Sequence, residues 1–229
     1  MKKFLALLLA LTLTLGLTAC GGDDGGKDAP GQSSAGGTAL KIGGAGPLTG
    51  GAAIYGNAAK GGAEIAAEEI NALGGLQIEL RYEDDAHDAE KSVNAYNALK
   101  DWGMQVFLGS VTSTPGAATA AESNSDHIFY LTPSASSTDV IGGVANPLTG
   151  SVDIPRRDNV FQMCFVDPNQ GSASAQYIKD NNLGSAIAII YKNDDVYSTG
   201  IYNSFVAKAG ELGLNIVSTT TFTTDSQTD

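Results

Sequence analysis

The sequence predicts an α/β fold with parallel sheets in two lobes. Short apolar strands alternate with helix-length stretches from Leu40 onward. Strand–helix–strand units of that kind close as right-handed crossovers, which makes the strands parallel. The rhythm breaks once, over Pro133–Asn159, and a connection of that length without periodicity divides two lobes rather than two strands of one sheet.

The elements follow in order. LKIGG, from Leu40, reads as the first strand. Asn57 to Leu73 reads as a helix with Ala59, Ala63, Ala66, Ile70 and Leu73 on one face, stopped by Gly74-Gly75. LQIELRYEDD opens with the two-residue alternation of a half-buried strand. A second helix runs to Trp102, capped by Asp88, with Val93, Tyr96 and Leu99 on one side. MQVFLG is a short buried strand, Pro115–Ser123 a helix with proline in its first turn, and HIFYLT a fourth strand. Beyond the long connection come the strand VFQMCF, a helix over Asn169–Asn181, the strand SAIAIIYK, a helix over Val196–Leu212 and the strand NIVSTTTF. The early block therefore holds four strands and the later block three. The later block, 160–229, is short of the ~100 residues a doubly wound lobe usually needs, so the second lobe is expected to be about half present.

The N-terminus has a different character. Met1-Lys2-Lys3 precedes an apolar run from Phe4 to Leu17, too short to span ~30 Å of hydrocarbon and suited to a secretory leader. It ends in Leu17-Thr18-Ala19-Cys20, which resembles a lipobox, so Cys20 is the expected lipid anchor. The next segment, GGDDGGKDAPGQSSAGGTA, has no large apolar side chain and cannot offset its ordering entropy, which predicts a tether. The expected organisation is a leader over 1–19, a tether over 20–39, a first α/β lobe over 40–159 and a partial second lobe over 160–229. Loss of Lys2 and Lys3 with the leader takes the basic count from 13 to 11 against 25 acids, net −14, which disfavours nucleic acid and anionic lipid as partners. With Cys20 lipidated, Cys164 has no internal partner and reads as a small hydrophobe.

The glycines of KIGGAGPLTGGAAIYG raise the question of a nucleotide loop. The spacing is one residue too long for G-x-G-x-x-G, no acid follows until Glu64, and no G-x-x-x-x-G-K-[ST] run exists, so no nucleotide cofactor is expected. The loop reads instead as a sharp strand exit with Tyr55 at the sheet rim. The next exits, Gly109–Pro115 and Thr132–Thr138, are rich in hydroxyls, and the first stands at a helix N-terminus. Hydroxyls, backbone amides and a positive helix end suit a small carboxylate.

Together GPLTG, Tyr55-Gly56, INALGG, EDDAHD, GSVTS, TPSAS, DPNQG and NDDVYSTG resemble, in order, the substrate-binding proteins of branched-chain amino acid ABC transporters. The resemblance implies the type I periplasmic-binding-protein fold, with two lobes closing on a ligand. It further implies a small amino acid as ligand, an ABC permease as partner and a lipid-anchored, extracytoplasmic location, with no cofactor. Carried over by position, Val111, Thr112 and Ser113 line the carboxylate side, and Ser134, Ala135 and Ser136 contact the polar head. Tyr55 and Tyr197 flank the side chain. The resemblance places the family's ammonium-binding acid, and a further aromatic, later in the second lobe, beyond Asp229. Three departures stand out: Gln162 where arginine is common, Tyr197-Ser198-Thr199-Gly200 for Tyr-Gly-x-Gly, and His87 and Thr112 where some members carry a disulfide.

Two other classes are weighed. A serine hydrolase lacks its G-x-S-x-G, and His87 stands in an acidic turn (Asp84, Asp85, Asp88) that reads as a charged loop and helix cap rather than a metal site. A ligand-sensing receptor domain of the same fold, or an inert fragment, is the alternative to transport.

Overall fold

The computed structural model describes residues 39–226. The leader, the tether up to residue 38 and the predicted anchor Cys20 lie outside the described residues. Seven strands are present: β1 (Leu40–Gly46), β2 (Ile78–Asp84), β3 (Val106–Leu108), β4 (Phe129–Thr132), β5 (Val160–Gln162), β6 (Ile187–Lys192) and β7 (Ile216–Phe222). The helices are α1 (Ala53–Ala72), α2 (Ala89–Trp102), α3 (Ser113–Asp126), the one-turn α4 (Thr138–Ile141), α5 (Asp167–Asp180) and α6 (Val196–Leu212). None of these is long and apolar enough to cross a membrane.

All strand pairs are parallel. The first sheet has the order β2-β1-β3-β4-β5, and β6 and β7 form a second sheet of two strands. Here the strand grouping read from the sequence needs correcting. The segment at 160–162 pairs with β4, Tyr130 opposite Val160, so the first sheet has five strands and the later block two. The edge of the first lobe thus lies beyond residue 159. The reason is burial: Val160 is fully buried against Tyr130 and Phe107, a core the first lobe has already built.

Crossovers from β1 step first toward β2 and then back past β1 to β3. With right-handed connections, that reversal puts α1 on one face of the sheet and α2 and α3 on the other. The α2–α3 face holds the main core: Tyr96, Leu99, Phe107, Tyr130, Val140 and Val160 are all fully buried. Phe107 lies edge-on to both Tyr96 and Tyr130, with ring centroids 5.2 Å apart in each pair.

Asp88 caps α2 as expected, accepting from Lys91 N at 2.8 Å, and Gly103 ends it in the left-handed conformation. α1 starts earlier than predicted and is rotated. Gly56 and Ala67 are its buried residues, whereas Ile70 and Leu73 are 40% and 84% exposed. The packed stripe selects the smallest side chains because the helix approaches the sheet's exit loop too closely for larger ones. A Cβ on Gly56 would lie 2.0 Å from the Pro47 carbonyl oxygen.

Candidate functional site

Ligands of open α/β sheets sit outside the carboxyl ends of the strands where the strand order reverses, between β1 and β3 in this order. Successive exit loops build that edge here. At the end of β2, Asp84 grips the β1 exit. It accepts from Leu48 N at 2.7 Å, Thr49 N at 3.4 Å and the Thr49 hydroxyl at 2.6 Å, and from Ala86 N at 2.9 Å on its own loop. Partial burial opposes its ionisation, but the Thr49 hydroxyl and these amides outweigh it and hold the carboxyl below its ordinary range. The gripped loop turns directly into α1 and leaves Tyr55 64% exposed at the rim.

The β2 exit continues through Ala86 and His87, both left-handed at φ 48° and 61°. Asp85, wholly buried, fixes this turn by accepting from His87 N at 2.9 Å. Burial pushes its carboxyl up. The His87 ring nitrogen Nδ1 lies 2.8 Å from the Thr112 hydroxyl. A hydrogen bond therefore ties the β2 exit to the β3 exit across 25 positions of sequence.

The β3 and β4 exits are tied to each other. Thr132 donates its hydroxyl to Ser110 O at 2.9 Å, and Ser134 donates its own to Val111 O at 2.7 Å. Ser136 N and Ser137 N donate to Ser113 Oγ at 3.2 and 3.1 Å. Gln162 reaches from β5 and donates to Ala135 O at 2.6 Å and Ser137 O at 2.8 Å. The Gln162 amide thus clamps the β4 exit. Gly109 is required at the start of the β3 exit, since a Cβ there would lie 2.2 Å from the Tyr130 ring.

The far wall comes from the second sheet's side. Asp195 caps α6, accepting from Ser198 N at 3.0 Å and from the Ser198 hydroxyl at 2.8 Å. It also accepts from the Thr114 hydroxyl at 3.0 Å, which ties α6 to α3. Tyr197 donates its hydroxyl to Gln170 Oε1 at 3.1 Å.

These loops enclose a cavity of about 410 Å³. Of the eight ligand positions expected from the sequence, seven line it: Tyr55, Val111, Thr112, Ser113, Ser134, Ser136 and Tyr197. Ala135 does not. It is fully buried in the core, where a Cβ on Gly116 would meet its methyl at 2.8 Å. Its neighbours reach the cavity because an exit loop alternates its side chains. The sequence reading passed over His87, Phe165 and Asp195, which also line the cavity. Asp195 was legible as a helix cap; His87 and Phe165 needed the turn geometry. A second cavity of about 450 Å³ lies beside Asp139, Asp153, Asp194 and Asp195 and contains none of the predicted positions.

The donors left free at this edge decide what it can hold. Ser134 has spent its proton on Val111 O. Ser113 accepts twice, so its own hydrogen remains a donor. Thr112 stands at the N-cap of α3 but makes no cap bond, leaving the first amides of that helix without a side-chain partner. A hydroxyl, helix-end amides and an imidazole form a donor set that suits a small carboxylate, without lysine or arginine among the described lining residues. Cys164 is only half-buried, and burial with Asp167 nearby pushes its thiol up, so it is not an activated nucleophile.

Residues 39–229 match the periplasmic binding protein family. The Leu/Ile/Val-binding protein homolog 3 of Brucella melitensis is 29% identical over 181 residues, covering 78% of this chain and 46% of that protein. The crystal structure of the leucine-binding protein LivK from Thermotoga maritima aligns with a TM-score of 0.71 at 26% identity, over 82% of this chain and 50% of that one. LivJ from Streptococcus pneumoniae, solved in complex with isoleucine, aligns with a TM-score of 0.70 at 26% identity, over 84% and 51%. The chain spans about half the length of the relatives it matches. It belongs to the periplasmic binding protein family, a family of substrate-binding proteins rather than enzymes, and is similar to its Leu/Ile/Val-binding members.

Proposed function

We propose that the chain contributes the ligand-recognising edge of an extracytoplasmic, lipid-anchored substrate-binding protein of an ABC importer. In this reading it captures a small amino acid, branched-chain by analogy with its relatives, for delivery to a membrane permease. The observation that carries the reading is the convergence of seven positions implied by the family resemblance, from four separate strand exits, on one cavity. The carboxylate sits against Ser113 and the first amides of α3. The side chain lies between Tyr55, Phe165 and Tyr197. Neutral donors hold a carboxylate more loosely than a bidentate arginine, which suits a protein that must release its cargo. Closure of the two lobes would complete the site and exclude water.

The test is an amide NMR titration with L-leucine, L-isoleucine and L-valine. With neutral donors and no lysine or arginine among the described lining residues, affinity is expected to be weak, and shifts should concentrate at Tyr55, 111–113, 134–136 and 197. Micromolar affinity would contradict the expected weakness. Shifts absent at tens of millimolar, or scattered over the surface, would sink the reading itself.

A further inference from the structure

We propose that His87 is a ligand-binding residue of this cavity, anchored through Nδ1 to Thr112 and donating from Nε2 to the ligand's carboxylate; this rests on the carboxylate site proposed above. Among the described residues lining the cavity, His87 is the only side chain able to carry a positive charge, and Asp195 is the only acid. The Asp195 carboxylate is already engaged by Ser198 and Thr114.

His87 is held at two points, one on the main chain and one on the ring. Its backbone amide donates to Asp85 Oδ1 at 2.9 Å, and Nδ1 stands 2.8 Å from Thr112 Oγ1. Two successive non-glycine residues, Ala86 and His87, are kept left-handed, a sparsely populated conformation that persists where surroundings impose it. Either protonation state then serves the same end. If the Thr112 hydroxyl donates to Nδ1, the neutral ring carries its proton on Nε2. If the ring is charged, Nδ1–H donates to Thr112 and Nε2–H is still a donor. The same contact draws the Thr112 hydroxyl away from the N-terminus of α3, which has no side-chain cap. One residue thereby contributes a donor and keeps the helix amides open for the same anion.

The titratable groups facing the ring are Asp84 and Asp88 in its own turn, buried Asp85 beneath it, Tyr55 on the β1 side, and Asp195 and Tyr197 on the far wall. Asp84 is committed to the β1 exit and Asp88 to the α2 cap. A ligand carboxylate favours the imidazolium over the neutral ring, so affinity should fall as pH rises.

The test uses the whole chain labelled with ¹⁵N-histidine. Its two histidines are told apart by a His127→Gln variant, and His127 serves as a control at the opposite end of α3. Three probes separate the parts of the ligand: L-leucine, 4-methylpentanoate, which lacks the ammonium, and 3-methylbutylamine, which lacks the carboxylate. The two carboxylates should shift the His87 ring signals and leave His127 unmoved, and the amine should shift neither. Carboxylate affinity should be about tenfold tighter at about pH 5.5 than at about pH 8, the worth of one charge-assisted hydrogen bond. In His87→Gln, which keeps a donor toward Thr112, and in His87→Ala, that pH dependence should vanish. If ligand moves the Thr112 and Ser113 amides but not His87, or the variants keep the pH dependence, this inference fails while the proposed function stands. If no probe moves any of these residues, both fail.

Discussion

Replacing Asp167 by asparagine should stabilise the chain at neutral pH and lose that advantage in acid. Asp167 opens α5, donates its backbone N–H to Ser136 O at 3.0 Å and is 0% exposed. Neither carboxyl oxygen has a hydrogen-bond partner among the described residues. Gly200 packs on it so closely that a Cβ there would lie 2.9 Å from Oδ2. Burial, reinforced by the nearby acids Asp195 and Asp139, pushes the group up to about 6. The sign follows from linkage. A folded value above the unfolded ~3.9 means the native state holds its proton longer, so this contribution is fully present below ~4 and is lost as pH rises through about 6. A rise of roughly two pH units corresponds to about 3 kcal/mol withdrawn at neutral pH. Asparagine keeps the volume without the charge, but its buried amide hydrogens lack partners too, which returns about 1–2 kcal/mol. The net expectation is a gain of about 1–2 kcal/mol, or about 2–8 °C in Tm, near pH 8. Near pH 4 the two proteins should melt together, or the variant slightly lower. Thermal melts followed by circular dichroism across that range decide the matter. A Tm difference that does not change with pH would refute the reasoning, because it would show that Asp167 does not change protonation between these limits.

Three further outcomes are expected. Gly56→Ala forces a methyl to 2.0 Å from the Pro47 carbonyl oxygen and should cost about 3 kcal/mol in urea unfolding. Asp84→Asn replaces a carboxylate gripping the β1 exit and should cost about 1–3 kcal/mol. Because the Asp84 carboxyl is held below its ordinary range, the wild-type advantage should be full above pH ~4 and shrink as pH falls further, which the same unfolding series in acid will check. Ser113→Ala leaves the amides of Ser136 and Ser137 without their acceptor in a site where Ser113 is only 4% exposed, and should cost about 1–3 kcal/mol. In the amino acid titrations it should also shrink the shifts at 112 and 113.

How much of this was written in the sequence differs from element to element. α6 runs from Val196 to Leu212 as read from its pattern, since its cap and its terminal glycine are local signals. α2 and its Asp88 cap were equally legible. α1 was not: a run of alanines and glycines has several apolar stripes, and only contact with the β1 exit selects the one carrying Gly56 and Ala67. The strand at 160–162 was misplaced because an apolar triplet does not say which sheet it joins.

The same division holds at the site. Hydroxyl-rich exits and an aromatic at the rim are visible in one dimension, because each exit loop is a contiguous stretch whose chemistry its own residues declare. Ala135 and Ser136 are neighbours in sequence, yet one is sealed in the core and the other faces the cavity. The bond between His87 and Thr112 spans 25 positions, and that between Thr114 and Asp195 spans 81. Sequence by itself determined the fold class and the exits, because periodicity and capping act within a few residues. Which hydroxyls keep a proton to donate, and which acid is left buried and alone, was decided only when distant loops met, because hydrogen-bond satisfaction belongs to the assembled edge and not to any segment of it.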